Sequence, residues 1–260
     1  MDSKRTKQLK AFDRLLTIMD ELRTNCPWDK KQTFNTLRHL TIEETYELSE
    51  ALLSGDLNEV KNELGDLLLH IVFYSKIGSE QKAFDIADVA NAISEKLIDR
   101  HPHIYGEVEV NDEADVKKNW EKLKLKEGNK GVLSGVPKSL PSLVMASRMQ
   151  DKAASIGFDW KSIDGVKDKI KEELNELEHE INHGTKEKIT DEFGDVFFSL
   201  VNYARFLKIN PDDALSSTNR RFRSRFEAME KIAKQQGYEL VSLTPKQWEQ
   251  LWQAAKKKYT

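Results

Sequence analysis

The chain has 260 residues, 38% hydrophobic and 33% charged, with 41 basic against 44 acidic side chains and a formal net charge of -3. That length suits one or two globular domains, and the near balance of charge lends no bulk support to broad nucleic-acid or membrane-surface binding, while leaving room for local patches. A single cysteine, Cys26, rules out an internal disulfide and a thiolate zinc site within one chain, and no apolar run reaches the length of a membrane span. The opening "MDSKRTKQLKAFDRLL" lacks the apolar core of a signal peptide, so a reducing cytoplasm is the expected location.

Only 12 Gly and 6 Pro punctuate the chain, and between them apolar residues recur at helical spacing. Leu9, Phe12, Leu15, Leu16, Met19 and Leu22 line one face of an opening helix that should stop near "NCPWD", because Pro27 disfavours helix at Cys26. Further helices are predicted at about 36–54, 57–77, 84–100 and 113–126. The stretch "GNKGVLSGVPKSLP", 128–141, reads as a linker between an N-terminal domain, 1–127, and a C-terminal domain, 142–260. Beyond it helices are predicted at about 142–155, 163–183, 186–207, 211–235 and 245–258. The fold class is therefore all-α.

Sliding the chain against itself by 129 residues exposes an internal repeat. Glu43, Glu44, Glu47, Glu63 and Asp66 fall on Glu172, Glu173, Glu176, Glu192 and Asp195, Gly65 falls on Gly194, and Tyr74 falls on Tyr203. The intervening loop keeps its length, so a duplicated helical hairpin is the natural reading.

Residues three apart on a helix share a face, which pairs Glu173 with Glu176 and Glu192 with Asp195. If the two helices pack antiparallel across "HGTKEK", four carboxylates converge. Unpaired in a partly buried seam they would repel one another and resist desolvation, and a divalent cation relieves both effects. Oxygen-only ligands suit Mg²⁺, with Mn²⁺ as a substitute. Glu44, Glu47, Glu63 and Asp66 form the equivalent set in the first repeat. A run of Glu on a helix is usually a solvated face. Here Leu37, Leu40, Glu44, Glu47 and Ala51 follow one inward stripe, so the acids interrupt an apolar face. A di-iron bundle is the competing metal architecture. It calls for Glu-x-x-His pairs, which the hairpins are not expected to supply; His70 is a nearby histidine, and its repeat-two counterpart is Ser199.

These residues resemble the MazG-type nucleoside triphosphate pyrophosphohydrolases of the all-α NTP pyrophosphatase superfamily. The resemblance covers nearly the whole chain. It is carried by "EETYE" with "ELGD" and "EELNE" with "EFGD", and by "CPWDKKQTFNTLRHLTIEE", "RHPHIYGEV", "GVLSGVPKSLPSL" and "GFDW". It implies Mg²⁺-dependent cleavage of a nucleoside triphosphate to monophosphate and pyrophosphate. In this sequence Glu173, Glu176, Glu192 and Asp195 match the family's metal positions, with Glu172 a candidate orienter or water-activating base. Lys169 and Lys188, each one turn before a metal position, are placed to meet phosphate charge. Arg221 and Arg225 in "NRRFRSRF" match basic positions, and Trp252 matches an aromatic that could cover the base. Stacking tolerates any base, so broad NTP specificity is expected. Each residue also has a plain reading: surface cations for the lysines and arginines, and a packing stripe for Trp248 and Trp252. His101 and His103, separated by Pro102, read as a structural turn.

The acidic ladder is duplicated but its cations are not, since Lys169 aligns with Leu40 and Lys188 with Glu59. Turnover is therefore expected in the C-terminal repeat, with the N-terminal repeat structural, regulatory or selective for another ligand. A two-helix hairpin exposes an apolar stripe that needs partner helices, which points to tandem helical domains in a homodimer. Two alternatives stand beside this: a metal-stabilised interaction module without turnover, binding a protein partner, and a narrower dUTP or phosphoribosyl-nucleotide pyrophosphatase.

Overall fold

The computed structural model describes residues 3–110, 112, 116 and 131–258, and every regular element among them is helical. All but residue 116 of the predicted helix at 113–126, and residues 128–130 of the expected linker, lie outside the described residues. Two compact units divide between residues 116 and 117.

In the first unit α1 (Ser3–Asn25) ends where Pro27 requires, and a single 3-10 turn, Asp29–Lys31, leads into α2 (Phe34–Ser54). Thr33 caps α2 through a reciprocal box with Thr36, and Gly55 ends it with φ +78°, a left-handed conformation that glycine adopts without strain. Asp56 then caps α3 (Leu57–Glu80), so only two residues separate the helices and they fold back as a hairpin. α4 (Ile86–Arg100) starts at a second capping box, Asp85 with Asp88. A one-turn helix α5 (Pro102–Tyr105), not foreseen from periodicity, absorbs the "RHPHIYG" segment, and His101 and His103 pack ring against ring at 5.6 Å. Met19, Leu37, Val72, Phe73 and Ile77 form the buried core where α1, α2 and α3 meet. Arg23 ties α1 to α3 by a forked pair with Glu80.

In the second unit a 3-10 turn, Val132–Gly135, precedes α6 (Ser142–Ser155). The acidic hairpin follows: α7 (Ile163–His183) and α8 (Lys186–Phe206), joined across Gly184 and Thr185. Val166 and Leu177 of α7 and Val196 and Val201 of α8 are its buried apolar positions. α9 (Pro211–Gln235), capped by Asn210, packs on α10 (Pro245–Lys258). Three buried alanines, Ala228, Ala233 and Ala255, let those two helices approach closely around Met229 and Leu251.

Candidate active site

The second hairpin builds the site from its own register. Glu173 and Glu176 sit one turn apart on α7, and Glu192 faces them from α8. One carboxylate oxygen from each of the three lies within 4.8 Å of the others. Glu173 is only 5% exposed, so the ladder does interrupt a buried face. Burial first, then the charges of Glu176, Asp195, Glu173 and Glu180, push the Glu192 carboxyl above the usual carboxylate range. Its Oε2 is buried without a hydrogen-bond partner among the described residues. Converging acids, one of them with an orphaned oxygen, fit a hard divalent cation better than they fit each other.

Asp195 is exposed and stands outside the converging trio, although it borders the same space and adds to the field on Glu192. The expectation that the hairpins lack Glu-x-x-His pairs is overturned by α7, where Glu176 with His179 and Glu180 with His183 have that spacing. His179 borders a small groove with Glu176, Glu180 and Glu192, but it stacks on His183 at 4.8 Å, and the converging ligand atoms are carboxylates alone.

The two lysines part company. Lys169 Nζ lies 2.7 Å from Glu173 Oε1 and 2.9 Å from Glu172 Oε1, and these two acids hold its ammonium well above its ordinary pKa. The buried Glu173 thus has its counter-charge one turn away, on the same helix. Lys188 is more exposed, and its nearest acid is Glu180 at 3.7 Å.

A cavity of about 710 Å³ opens beside this cluster, lined by Lys169, Glu173 and Asp195 at its acidic side. Phe158 and Trp160 of "GFDW" line it too, and α6 and α8 contribute Gln150, Phe198, Ser199 and Asn202. Arg205 grips Asp159 through both guanidinium Nη groups, one at 3.0 Å, which pins the aromatic loop to the end of α8. Sequence reasoning gave none of the α6 and "GFDW" residues a role at the site. Their signal was present only as the "GFDW" flank, because they come from segments without the hairpin's periodicity.

Arg221, Arg225 and Trp252 do not line this cavity. Arg221 is exposed and bonds Ser217 and Thr218 on its own helix at 2.7 and 2.8 Å. Arg225 is half-buried, and its Nε has no partner among the described residues. Trp252 packs on Phe222, with ring centroids 5.5 Å apart, within the α9–α10 core.

The first hairpin repeats the acids and changes their surroundings. Glu44, Glu63 and Asp66 bring ligand atoms within 4.8 Å of one another, and burial with the neighbouring acids raises the Glu44 and Glu63 carboxyls. Glu47 is exposed and stands outside this trio, contrary to its place on the inward stripe, because α2 turns that edge to solvent. In the 129-residue register Phe73 and His70 replace Asn202 and Ser199. Phe73 is buried in the core, and His70 is buried too, its Nδ1 2.8 Å from Thr41 Oγ1, which also lies 2.6 Å from the Tyr74 hydroxyl. Burial lowers the His70 pKa against the pull of Asp66. Leu40, Leu69 and Phe73, the counterparts of the cavity-lining Lys169, Phe198 and Asn202, pack in the core of the first unit.

The model of the MazG nucleotide pyrophosphohydrolase domain matches this chain twice, over residues 32–105 and 161–230. A protein of Escherichia coli (strain K12) named nucleoside triphosphate pyrophosphohydrolase is 38% identical over 258 residues, 96% of this chain and 98% of that one. One from Thermotoga maritima, named nucleoside triphosphate pyrophosphohydrolase/pyrophosphatase MazG, is 40% identical over 250 residues, 94% and 95% of the two chains. Two acidic hairpins in a fixed register, each inside a matched segment, make this chain a member of the MazG family with two tandem MazG domains.

Proposed function

We propose that the C-terminal hairpin hydrolyses nucleoside triphosphates to the monophosphate and pyrophosphate, with Mg²⁺ as the cofactor and no strong choice among bases. The observation that carries this reading is the cavity in which Lys169, the buried Glu173 and the aromatic residues Phe158 and Trp160 share one space. A triphosphate needs the first two, and a base needs the others. The names of the two relatives supply the reaction.

In that reaction a water oxygen bonds to phosphorus as the P–O bond between the α and β phosphoryl groups breaks, and the water's protons pass to the products or to a carboxylate. Glu173, Glu176 and Glu192 would hold the cation, with Asp195 at the rim. The bound ion supplies Lewis-acid stabilisation of charge on the phosphate oxygens. Lys169, 2.7 Å from Glu173, is placed to meet charge on the phosphates, and Lys188 pairs with Glu180 instead. Glu172, exposed and 2.9 Å from Lys169, is the proposed acceptor of the water proton. Arg221, Arg225 and Trp252 form a second basic and aromatic surface on α9 and α10 that we assign to substrate binding. The unpartnered Arg225 Nε supports that assignment.

The N-terminal domain, 1–127, is assigned a structural or regulatory role, with 128–141 as linker and 142–260 as the catalytic domain. Leu40 and Glu59 in the lysine positions, and the core packing of Leu40, Leu69 and Phe73 where the second repeat has cavity-lining residues, support this division. Leu64, Leu68 and Ile71 on α3 and Phe193, Phe197 and Leu200 on α8 are exposed, which supports completion of each bundle by a second chain. No helix among the described residues is long and apolar enough to cross a membrane, in keeping with a cytoplasmic role in nucleotide-pool housekeeping.

The test is incubation with each common NTP and dUTP, with and without Mg²⁺, resolving monophosphate, diphosphate, pyrophosphate and phosphate. Monophosphate with pyrophosphate, dependent on Mg²⁺ and lost in Glu173→Ala, is the expected result. Absence of turnover by folded, Mg²⁺-loaded protein would instead favour an interaction module.

A further inference from the structure

Gln150 of α6 lines the cavity with 7% of its surface exposed. The two ends of its amide are placed differently. Nε2 donates to the backbone carbonyl of Phe198 at 2.8 Å. A carbonyl can only accept, so this bond sets which way round the amide sits. Oε1 is left as the free end, buried and without a hydrogen-bond partner among the described residues. A buried amide oxygen without a donor destabilises a fold, and native structures hold few of them. The side chains around it offer a ligand more than an acceptor. Asn202 has its Oδ1 engaged by Arg205 Nε at 3.0 Å, which leaves its NH₂ as the donor end. Phe158 and Trp160 line the same cavity and present flat apolar faces.

We infer that Gln150 is a base-reading residue: its Oε1 accepts a hydrogen bond from an N–H on the pairing edge of a nucleobase stacked against Phe158 or Trp160. The inference rests on the nucleotide reading of this cavity and adds its selectivity. Adenine and cytosine present an amino N–H beside a ring nitrogen, while uracil and guanine present an imino N–H beside a carbonyl. Each edge offers a donor for Gln150 Oε1 next to an acceptor for the Asn202 NH₂. All four bases satisfy the cavity, and bases whose donor is missing or methylated do not. A site built around a ligand N–H discriminates strongly against an analogue lacking it, because its own buried acceptor then stays unpaired.

The experiment compares kcat/KM on the full chain for ATP against purine riboside triphosphate, which lacks the amino group, and for UTP against N3-methyl-UTP. Wild type is expected to disfavour the donor-less member of each pair by roughly 10-fold or more. Gln150→Met removes the acceptor at similar volume, and at least one of the two ratios should fall towards one. Its thermal midpoint should equal or exceed that of wild type. Phe158→Ala, at a well-exposed position, should raise KM for every base and leave the ratios in place. The inference is overturned if wild type turns over all the nucleotides without disfavouring the donor-less ones, or if folded Gln150→Met keeps both preferences. In either case the pyrophosphohydrolase reading stands. Absence of turnover with every nucleotide overturns both. If Gln150→Met fails to fold, Gln150→Leu is read by the same ratios, and wild-type ratios near one overturn the inference on their own.

Discussion

Alanine at position 165 should displace the aromatic wall of the cavity and leave the protein folded. Gly165 lies in the first turn of α7, and a Cβ there would stand 2.8 Å from Trp160 Cε3 and 3.4 Å from Cζ3. Carbon atoms at rest sit about 3.5–4.0 Å apart, so the indole must withdraw by roughly 0.7–1.2 Å. Trp160 is 46% exposed and can swing outward, which keeps the strain to about 1 kcal/mol. The helical preference of Ala over Gly, up to about 1 kcal/mol, offsets it. Stability should therefore change by less than about 1 kcal/mol in either direction. Stacking on an aromatic is worth about 1–3 kcal/mol per base, and a platform shifted by a fraction of its contact distance should lose a third to a half of that. This predicts a rise in KM of roughly 2- to 10-fold for every NTP, with kcat little changed because the carboxylates stay on α7 and α8. Steady-state kinetics beside thermal denaturation followed by circular dichroism would measure both. Unchanged KM with unchanged stability, or a loss confined to kcat, would refute the reasoning that Trp160 forms a substrate wall.

Lys169→Met should leave the buried Glu173 carboxylate without its counter-charge, costing roughly 1–3 kcal/mol by chemical denaturation without metal, and Mg²⁺ should restore part of the loss. A variant equally stable with and without Mg²⁺ would show that the pair and the cation site are unrelated. Glu173→Ala should abolish turnover, while Glu44→Ala, measured by the same product assay, should keep activity within a few-fold of wild type. Comparable loss in both would remove the division of labour between the repeats. Glu192→Gln removes a carboxylate raised by burial and by four neighbouring acids. It should stabilise the metal-free protein at neutral pH and abolish the Mg²⁺-induced rise in melting temperature.

The pair between Arg23 and Glu80 carries a pH signature of its own. The charge-assisted bond from Arg23 holds the Glu80 carboxyl below the usual range, so its stabilisation is present above the unfolded-state value and is lost as pH falls through the folded one. Glu80→Gln should cost about 0.5–1 kcal/mol at neutral pH, a figure kept small by solvent screening of the half-exposed carboxylate. The difference from wild type should vanish in acid. A difference that persists below the folded-state value would mean the contact acts through packing instead.

Local spacing determined the helices and the ladder. Apolar residues three and four apart, Pro27 after α1 and the Gly55–Asp56 break are readable without any partner, because they act through the backbone's own turn. The 129-residue register likewise placed Glu173 and Glu192 on facing helices. Spacing could not settle which oxygens meet. Glu47 and Asp195 keep the family pattern, yet both stand exposed outside the converging trios. Lys169 reaches the buried acid, while Lys188, equally well placed by spacing, turns to Glu180. Gln150, Phe158 and Trp160 carry no periodicity that links them to Glu173. They meet because α6 packs on α8 while Asp159 and Arg205 draw the loop onto the end of that helix. A helix face is a one-dimensional property of sequence. A cavity depends on how several faces and side-chain rotamers fit together, and only the tertiary structure decides that.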